Sequence, residues 1–195
     1  MNSDEVRGTL RISPEVTPNP ATVKFAVNRV LLPSGSCNFP DRTQCEGSAL
    51  AAKLFENPSV AGVLIGPDFV AVTKSTDADW RVVMQPVFEA LRDFLASGAE
   101  AVDPEKNSGS EKDLPQGAAE GRPEERVRAL IEREIRPVLA GDGGDVEFRG
   151  YEDGVVRLRL QGACRSCPSA TQTLKSGIEA YLKRMIPEVK EVVQV

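Results

Sequence analysis

A polar segment in the middle of the chain is the feature that most limits what this protein can fold into. Residues 98–122 read GAEAVDPEKNSGSEKDLPQGAAEGR, which is rich in Gly, Pro, Ala, Glu and Lys and almost lacks large apolar side chains. A segment of this composition cannot bury enough apolar surface to fold by itself. In a chain of 195 residues we therefore predict a flexible linker at 98–122 between two small domains, 1–97 and 123–195.

Both predicted domains mix strands and helices, so the predicted fold class is α+β. The first domain has a ββαββα pattern: strands at 22–27 and 29–32, a helix at 48–56, a hairpin of 60–65 and 69–73, and a helix from about 85 to 96. The second has an αββαβ pattern: a helix from 123 that Pro137 kinks or ends, strands at 145–151 and 155–160, a helix from about 169, and a strand at 189–195.

The composition excludes several classes of function. The formal net charge is −5 and there is no long basic stripe, so we expect no nucleic-acid partner. The chain contains no histidine, which excludes Ser-His and Cys-His catalytic pairs and imidazole metal ligands. No phosphate-loop or dinucleotide-binding glycine pattern is present.

The first residues and the apolar runs of the sequence predict the cellular location of the protein. The stretch Met1–Glu5 has neither a basic nor an apolar signal region, and no later apolar run approaches the ~20 residues that cross a bilayer. We therefore expect a cytoplasmic location and no membrane partner. A reducing compartment would keep the four cysteines as thiols.

The motif with the clearest chemistry is a pair of cysteines, Cys164 and Cys167, in a short loop between a predicted strand and a predicted helix. The N–H groups and the positive dipole end of the following helix stabilise negatively charged sulfur there. Two thiolates cannot complete a cubane iron–sulfur cluster or an all-cysteine zinc site, since each uses four sulfurs. We therefore predict a two-fold dimer in which both subunits supply their cysteine pair.

Three interpretations of the pair remain open from its spacing. It fits an iron–sulfur site, half of a zinc site that bridges a structural dimer, or the redox dithiol of a thiol–disulfide oxidoreductase. A thioredoxin-like dithiol normally has an aromatic residue just before the first cysteine, whereas Ala163 stands there. An exposed interfacial cluster is easily lost, which suits a carrier.

Other polar residues are predicted to be structural. Seven residues separate Cys37 from Cys45 in a loop that contains proline, a spacing that suits no metal site, so we predict that they are not ligands. Asp142 and Asp145 flank two glycines, and we expect them to cap and turn the chain rather than to act as catalytic carboxylates.

Several motifs together carry a family resemblance. In the second domain these are Ile135-Arg136-Pro137, Asp142-Gly143-Gly144-Asp145, Gly162-Ala163-Cys164, Cys167-Pro168-Ser169, Thr173-Leu174-Lys175 and Ile186-Pro187-Glu188-Val189. In the first they are TPNPATVKF at 17–25, Phe39-Pro40 and GPDFVAVTK at 66–74. The second domain closely resembles the C-terminal domain of the NifU-like (Nfu) iron–sulfur scaffold family, and the first resembles that family's N-terminal domain.

The resemblance implies a scaffold or carrier and not an enzyme. Its cluster would be of the [4Fe-4S] type, with [2Fe-2S] as the alternative, bound by Cys164 and Cys167 and shared between two subunits. Implied partners are upstream cluster-assembly proteins and apo iron–sulfur clients. Arg165 departs from the family pattern, because it is larger and more basic than the small residue expected between the cysteines.

Overall fold

The computed structural model describes residues 9–103, 122–165 and 170–195, the last range with side chains from 173 onward. The chain forms two compact units. Among the described residues, the first unit comprises 9–16 and 21–103, and the second comprises 17–20, 122–165 and 170–195. The tetrapeptide Thr17–Pro20 is thus grouped with the C-terminal part of the chain.

The first unit is an antiparallel sheet of five strands with two helices. Its elements are β1 (Ile12–Val16), β2 (Thr22–Val27), β3 (Cys37–Phe39), a 3₁₀ turn (Arg42–Gln44), α1 (Ala49–Leu54), β4 (Val60–Ile65), β5 (Phe69–Lys74) and α2 (Trp80–Ser97). The strand order is β1-β2-β5-β4-β3. Alternate residues of the central strands, such as Phe25, Val63 and Val72, form one apolar core with the buried sides of α1 and α2.

Capping side chains set the starts of both helices. The hydroxyl of Ser48 accepts a hydrogen bond from the Ala51 N–H at 3.0 Å, and Asp79 accepts one from the Arg81 N–H at 2.9 Å. These bonds satisfy backbone donors that a helix start leaves unpaired. Gly98 ends α2 in the left-handed conformation with φ of 74°.

The residues that follow α2, up to residue 103, pack on the first unit. Ala101 and Val102 are buried in its core, the Ser48 hydroxyl donates to Ala101 O at 2.6 Å, and the Asp103 N–H donates to Gly47 O at 2.7 Å. Residues 99–103, which we assigned to the linker, are therefore part of a folded unit. The rest of the predicted linker, up to residue 121, lies outside the described residues.

The second unit places helices against a sheet of three strands. Its elements are α3 (Pro123–Leu130), a π-helical segment (Ile131–Ile135), α4 (Arg136–Gly141), β6 (Gly144–Glu152), β7 (Val155–Gly162), α5 (Ala170–Met185) and β8 (Glu191–Gln194). Strands β6 and β7 form an antiparallel hairpin through Asp153 and Gly154, which have φ of 52° and 89°. Strand β8 pairs in parallel with β7.

The α+β fold class of two small units is confirmed, with local corrections in the first unit. Residues 29–32, predicted as a strand, form no strand, and the strands at Ile12–Val16 and Cys37–Phe39 were missed. Helix α2 begins at Trp80, five residues before the predicted start, because Asp79 caps it there. Pro137 does not end its helix; the helical path continues to Gly141 after the wider π turn. Within the described ranges, every helix is too short or too polar to span a bilayer.

Candidate metal centre

Cys164 lies in the turn directly after β7, and it is buried, with 6% of its surface exposed. Its neighbour Arg165 is exposed. Cys167 falls within residues 166–169, which lie outside the described residues. The structure therefore places one of the two predicted ligands, and the pairing of Cys164 with Cys167 stays a prediction.

Backbone hydrogen bonds fasten the turn that carries Cys164. The Ala163 N–H donates to Gly143 O at 3.0 Å, which ties the turn to the start of β6. The Cys164 N–H donates to Gln161 O at 3.3 Å, and the Arg165 N–H donates to Gly162 O at 3.1 Å. These bonds tie the turn that carries Cys164 to the hairpin of β6 and β7.

Gly144 gives the sulfur of Cys164 its space. A Cβ built on residue 144 would lie 2.2 Å from Cys164 Sγ, closer than real Cβ atoms approach another heavy atom, and 3.1 Å from Cys164 Cβ, which is a tight contact. The preceding Gly143 has φ of 72°, a conformation that side chains rarely adopt. The two glycines of the Asp142–Asp145 motif therefore have separate roles, one in the backbone turn and one beneath the sulfur.

Asp145 anchors this corner of the unit through an ion pair. Both of its carboxylate oxygens accept hydrogen bonds from Arg136, at 2.8 and 2.7 Å, and Arg136 also donates to Glu132 at 2.6 Å. The Asp145 side chain is only 7% exposed, and the hydrogen bonds that its carboxylate accepts from Arg136 raise the pKa of the Arg136 guanidinium. Asp145 thus has a structural role: through Arg136 it joins α4 to β6 beside the turn that carries Cys164.

Asn19 is a further residue of this site, and its local sequence does not reveal it. Asn19 is 2% exposed, and its side-chain Nδ2 donates to Ala163 O at 2.9 Å, one residue before Cys164. The motif Thr17-Pro18-Asn19-Pro20 was visible, but its position beside the cysteine turn follows from the tertiary structure. No periodic signal in the sequence reports such a contact.

Cys37 and Cys45 lie in the first unit and pack against its core. Burial raises the pKa of both thiols, and the negative charge of Asp41 adds to the effect at Cys45. Among the described residues no three Cys, Asp or Glu side chains gather as a metal site. These surroundings favour the neutral thiol at both positions. That neither residue is a ligand stays a prediction.

Comparison with known protein families gives one match for each half of the chain. The model of the NifU-like domain matches residues 127–193, and the model of the N-terminal domain of the scaffold protein Nfu/NifU matches residues 12–98. The two matches fall on the two halves for which the motifs indicated a resemblance.

Curated relatives match almost the whole chain. NifU-like protein 4, mitochondrial, of Arabidopsis thaliana is 38% identical over 96% of this chain and 67% of its own length. The human NFU1 iron-sulfur cluster scaffold homolog, mitochondrial, is 39% identical over 94% of this chain and 71% of its own length. The Drosophila erecta protein of the same name is 39% identical over 97% of this chain and 66% of its own length.

These relatives contradict the expected cytoplasmic location, because they are mitochondrial proteins. The prediction rested on the absence of a secretory signal region and was wrong, because that absence does not distinguish the cytoplasm from mitochondria. The resemblance itself is confirmed by both domain models and by identity of about 38% across both units. This chain belongs to the Nfu family of NifU-like proteins.

Proposed function

We propose that this protein is an iron–sulfur cluster scaffold that binds its cargo through Cys164 and Cys167 and passes it to apo-proteins. The observation that carries the proposal is the position of Cys164 in the NifU-like domain. Its turn is fastened to Gly143, and its sulfur lies against Gly144. Relatives named as iron-sulfur cluster scaffolds support the same assignment.

The donor set of the chain fits this cargo. Without histidine, the strongest soft ligands available are cysteine thiolates, which are the usual ligands of iron–sulfur clusters. Since two thiolates per chain supply half of the four that a cluster requires, we propose that two subunits share one cluster of the [4Fe-4S] type. A closed two-fold dimer provides this arrangement with identical surfaces.

Transfer would then proceed by ligand exchange and not by turnover of a substrate, so the protein acts as a carrier rather than an enzyme. The thiolates of an apo client would replace Cys164 and Cys167 one at a time, since the thiolate is the form of cysteine that binds metal. Upstream assembly proteins and apo iron–sulfur clients are the proposed partners.

Anaerobic reconstitution followed by absorbance spectroscopy and transfer tests the proposal. The loaded protein should be brown, contain iron and acid-labile sulfide, and restore activity to an apo iron–sulfur enzyme. A colourless protein that binds zinc would instead support the structural dimer. A colourless protein that cycles between dithiol and disulfide would support the oxidoreductase, and either result would overturn the scaffold assignment.

A further inference from the structure

Asn19 is a buried polar residue whose side chain holds the backbone just before Cys164. It is 2% exposed, and its Nδ2 donates to Ala163 O at 2.9 Å. A buried amide is costly unless it is hydrogen-bonded, so this contact contributes to keeping both groups in place. Asn19 belongs to the same compact unit as Cys164, although 144 positions separate it from Ala163.

The loop that carries Asn19 is itself constrained. The hydroxyl of Thr17 accepts a hydrogen bond from the Asn19 N–H at 3.2 Å and donates one to Asn19 O at 2.9 Å. Pro18 and Pro20 flank the residue, and their rings fix the backbone angle φ on both sides. The Asn19 side chain is therefore presented from a stiff loop at low entropic cost.

The peptide group that joins Ala163 to Cys164 is held from both sides. Asn19 donates to its carbonyl oxygen, and its N–H donates to Gln161 O at 3.3 Å. The orientation of this peptide sets the direction of the Cα–Cβ bond of Cys164, and hence the position of the sulfur against Gly144. The bond from Asn19 comes from outside the β6–β7 hairpin and its turn.

We propose that Asn19 is a positioning residue that keeps the thiol of Cys164 in its buried position and so controls its reactivity. This proposal deepens the proposed function. Only one of its consequences, the rate at which bound cluster is lost, rests on that function. Without the Asn19 bond, Cys164 should react faster with soluble electrophiles. The fold as a whole should keep its other contacts.

Timed alkylation of the reduced, cluster-free full chain with iodoacetamide tests the proposal directly. Trypsin releases each cysteine in a separate peptide, with Cys164 in 160–165, Cys37 in 30–42 and Cys45 in 43–53. Mass spectrometry then gives the rate at each thiol in one experiment. For Asn19→Ala we expect alkylation of Cys164 to accelerate roughly threefold to tenfold, the factor for one buried hydrogen bond. The rates at Cys37 and Cys45 should not change.

Further variants separate the hydrogen bond from the side chain. Asn19→Asp keeps the size but removes the donor, so it should accelerate Cys164 at least as much as alanine does. Thr17→Val removes the hydroxyl that orients Asn19 and should act in the same direction, whereas Thr17→Ser keeps it and should not. Asn28→Ala is the matched control, because Asn28 also bonds backbone groups, those of Arg11 and Thr9, but in the first unit.

The outcomes distinguish this inference from the proposed function. An unchanged Cys164 rate in Asn19→Ala and Asn19→Asp would overturn the inference, and so would equal acceleration at Cys37 and Cys45, which indicates general destabilisation. If the Asn19 variants do not fold, the Thr17 variants decide: a Cys164 alkylation rate that is the same in Thr17→Val and Thr17→Ser would then overturn the inference. Because alkylation needs no cluster, failure of the wild type to bind one would refute the proposed function and leave this test intact. In loaded protein, Asn19→Ala should lose its cluster to a chelator faster than Asn28→Ala.

Discussion

Gly144 and the sulfur of Cys164 occupy adjoining space, so that a Cβ on residue 144 would lie 2.2 Å from Cys164 Sγ. Gly144→Ala should therefore displace Cys164, lower the cluster content at least severalfold, and reduce the free energy of unfolding by about 1–3 kcal/mol through overpacking. Iron analysis after reconstitution and urea denaturation measure the two effects.

Gly177→Ala is the matched control for that substitution. Gly177 lies within α5, and apart from its chain neighbours and the backbone of its own helix a Cβ there would meet no atom within 4 Å. Alanine should stabilise the helix by about 0.5–1 kcal/mol and leave the cluster content unchanged. Wild-type cluster content in Gly144→Ala would contradict the close contact between residue 144 and the sulfur.

The second prediction concerns the ion pair between Asp145 and Arg136. Asp145→Asn removes the charge that compensates a partly buried guanidinium, so we expect a loss of about 3 kcal/mol in the free energy of unfolding, near the lower limit for breaking a buried pair. Glu134→Gln makes the same chemical change in the exposed pair with Arg133 and should cost less than about 1 kcal/mol. Equal losses in the two variants would show that the Asp145 pair does not anchor this corner.

The third prediction is that cluster binding and dimerisation are coupled. Cys164 and Cys167 supply only two of the four thiolates that a cluster needs. The loaded protein should therefore sediment as a dimer and shift toward the monomer when a chelator removes the cluster. Sedimentation velocity of both forms measures this shift. A strictly monomeric loaded protein would require thiols from another source and contradict the shared site.

The fourth prediction concerns the C-terminal fragment 122–195. Its core is formed by residues between Val127 and Val192, so the fragment should fold and assemble a cluster. It lacks Asn19, however, and Cys164 in the fragment should be alkylated as fast as in full-length Asn19→Ala. Circular dichroism, iron content and alkylation rates test these points. An unfolded or cluster-free fragment would show that the first domain helps to build the site.

Elements with strong local signals were predicted well from the sequence. The hairpin of β6 and β7 follows from the turn at Asp153-Gly154 and from alternating apolar residues on each side. Strand β1 was missed because it is an edge strand with almost no buried side chain and a proline at position 14, so it shows no alternation of burial. The false strand at 29–32 had the expected residue types, but its Val30 is 80% exposed.

The site was only partly predictable from the sequence, because part of it depends on contacts between residues that lie far apart in the chain. Cys164 was identified by its spacing to Cys167, and the need for glycine at 144 was visible only as a motif. The reason for that glycine is a contact with Cys164 across the unit, and Asn19 lies still farther away in sequence. Local patterns report periodicity and turns, whereas these residues depend on tertiary packing.

The central claim is that Cys164 and Cys167 bind the iron–sulfur cargo, and it is tested most directly by iron and acid-labile sulfide in four single Cys→Ser variants. After anaerobic reconstitution, the wild type should hold about two irons and two sulfides per chain, as for one four-iron cluster per pair of subunits. Cys37→Ser and Cys45→Ser should match it, whereas Cys164→Ser and Cys167→Ser should hold almost none. Full iron and sulfide in Cys164→Ser would contradict the account.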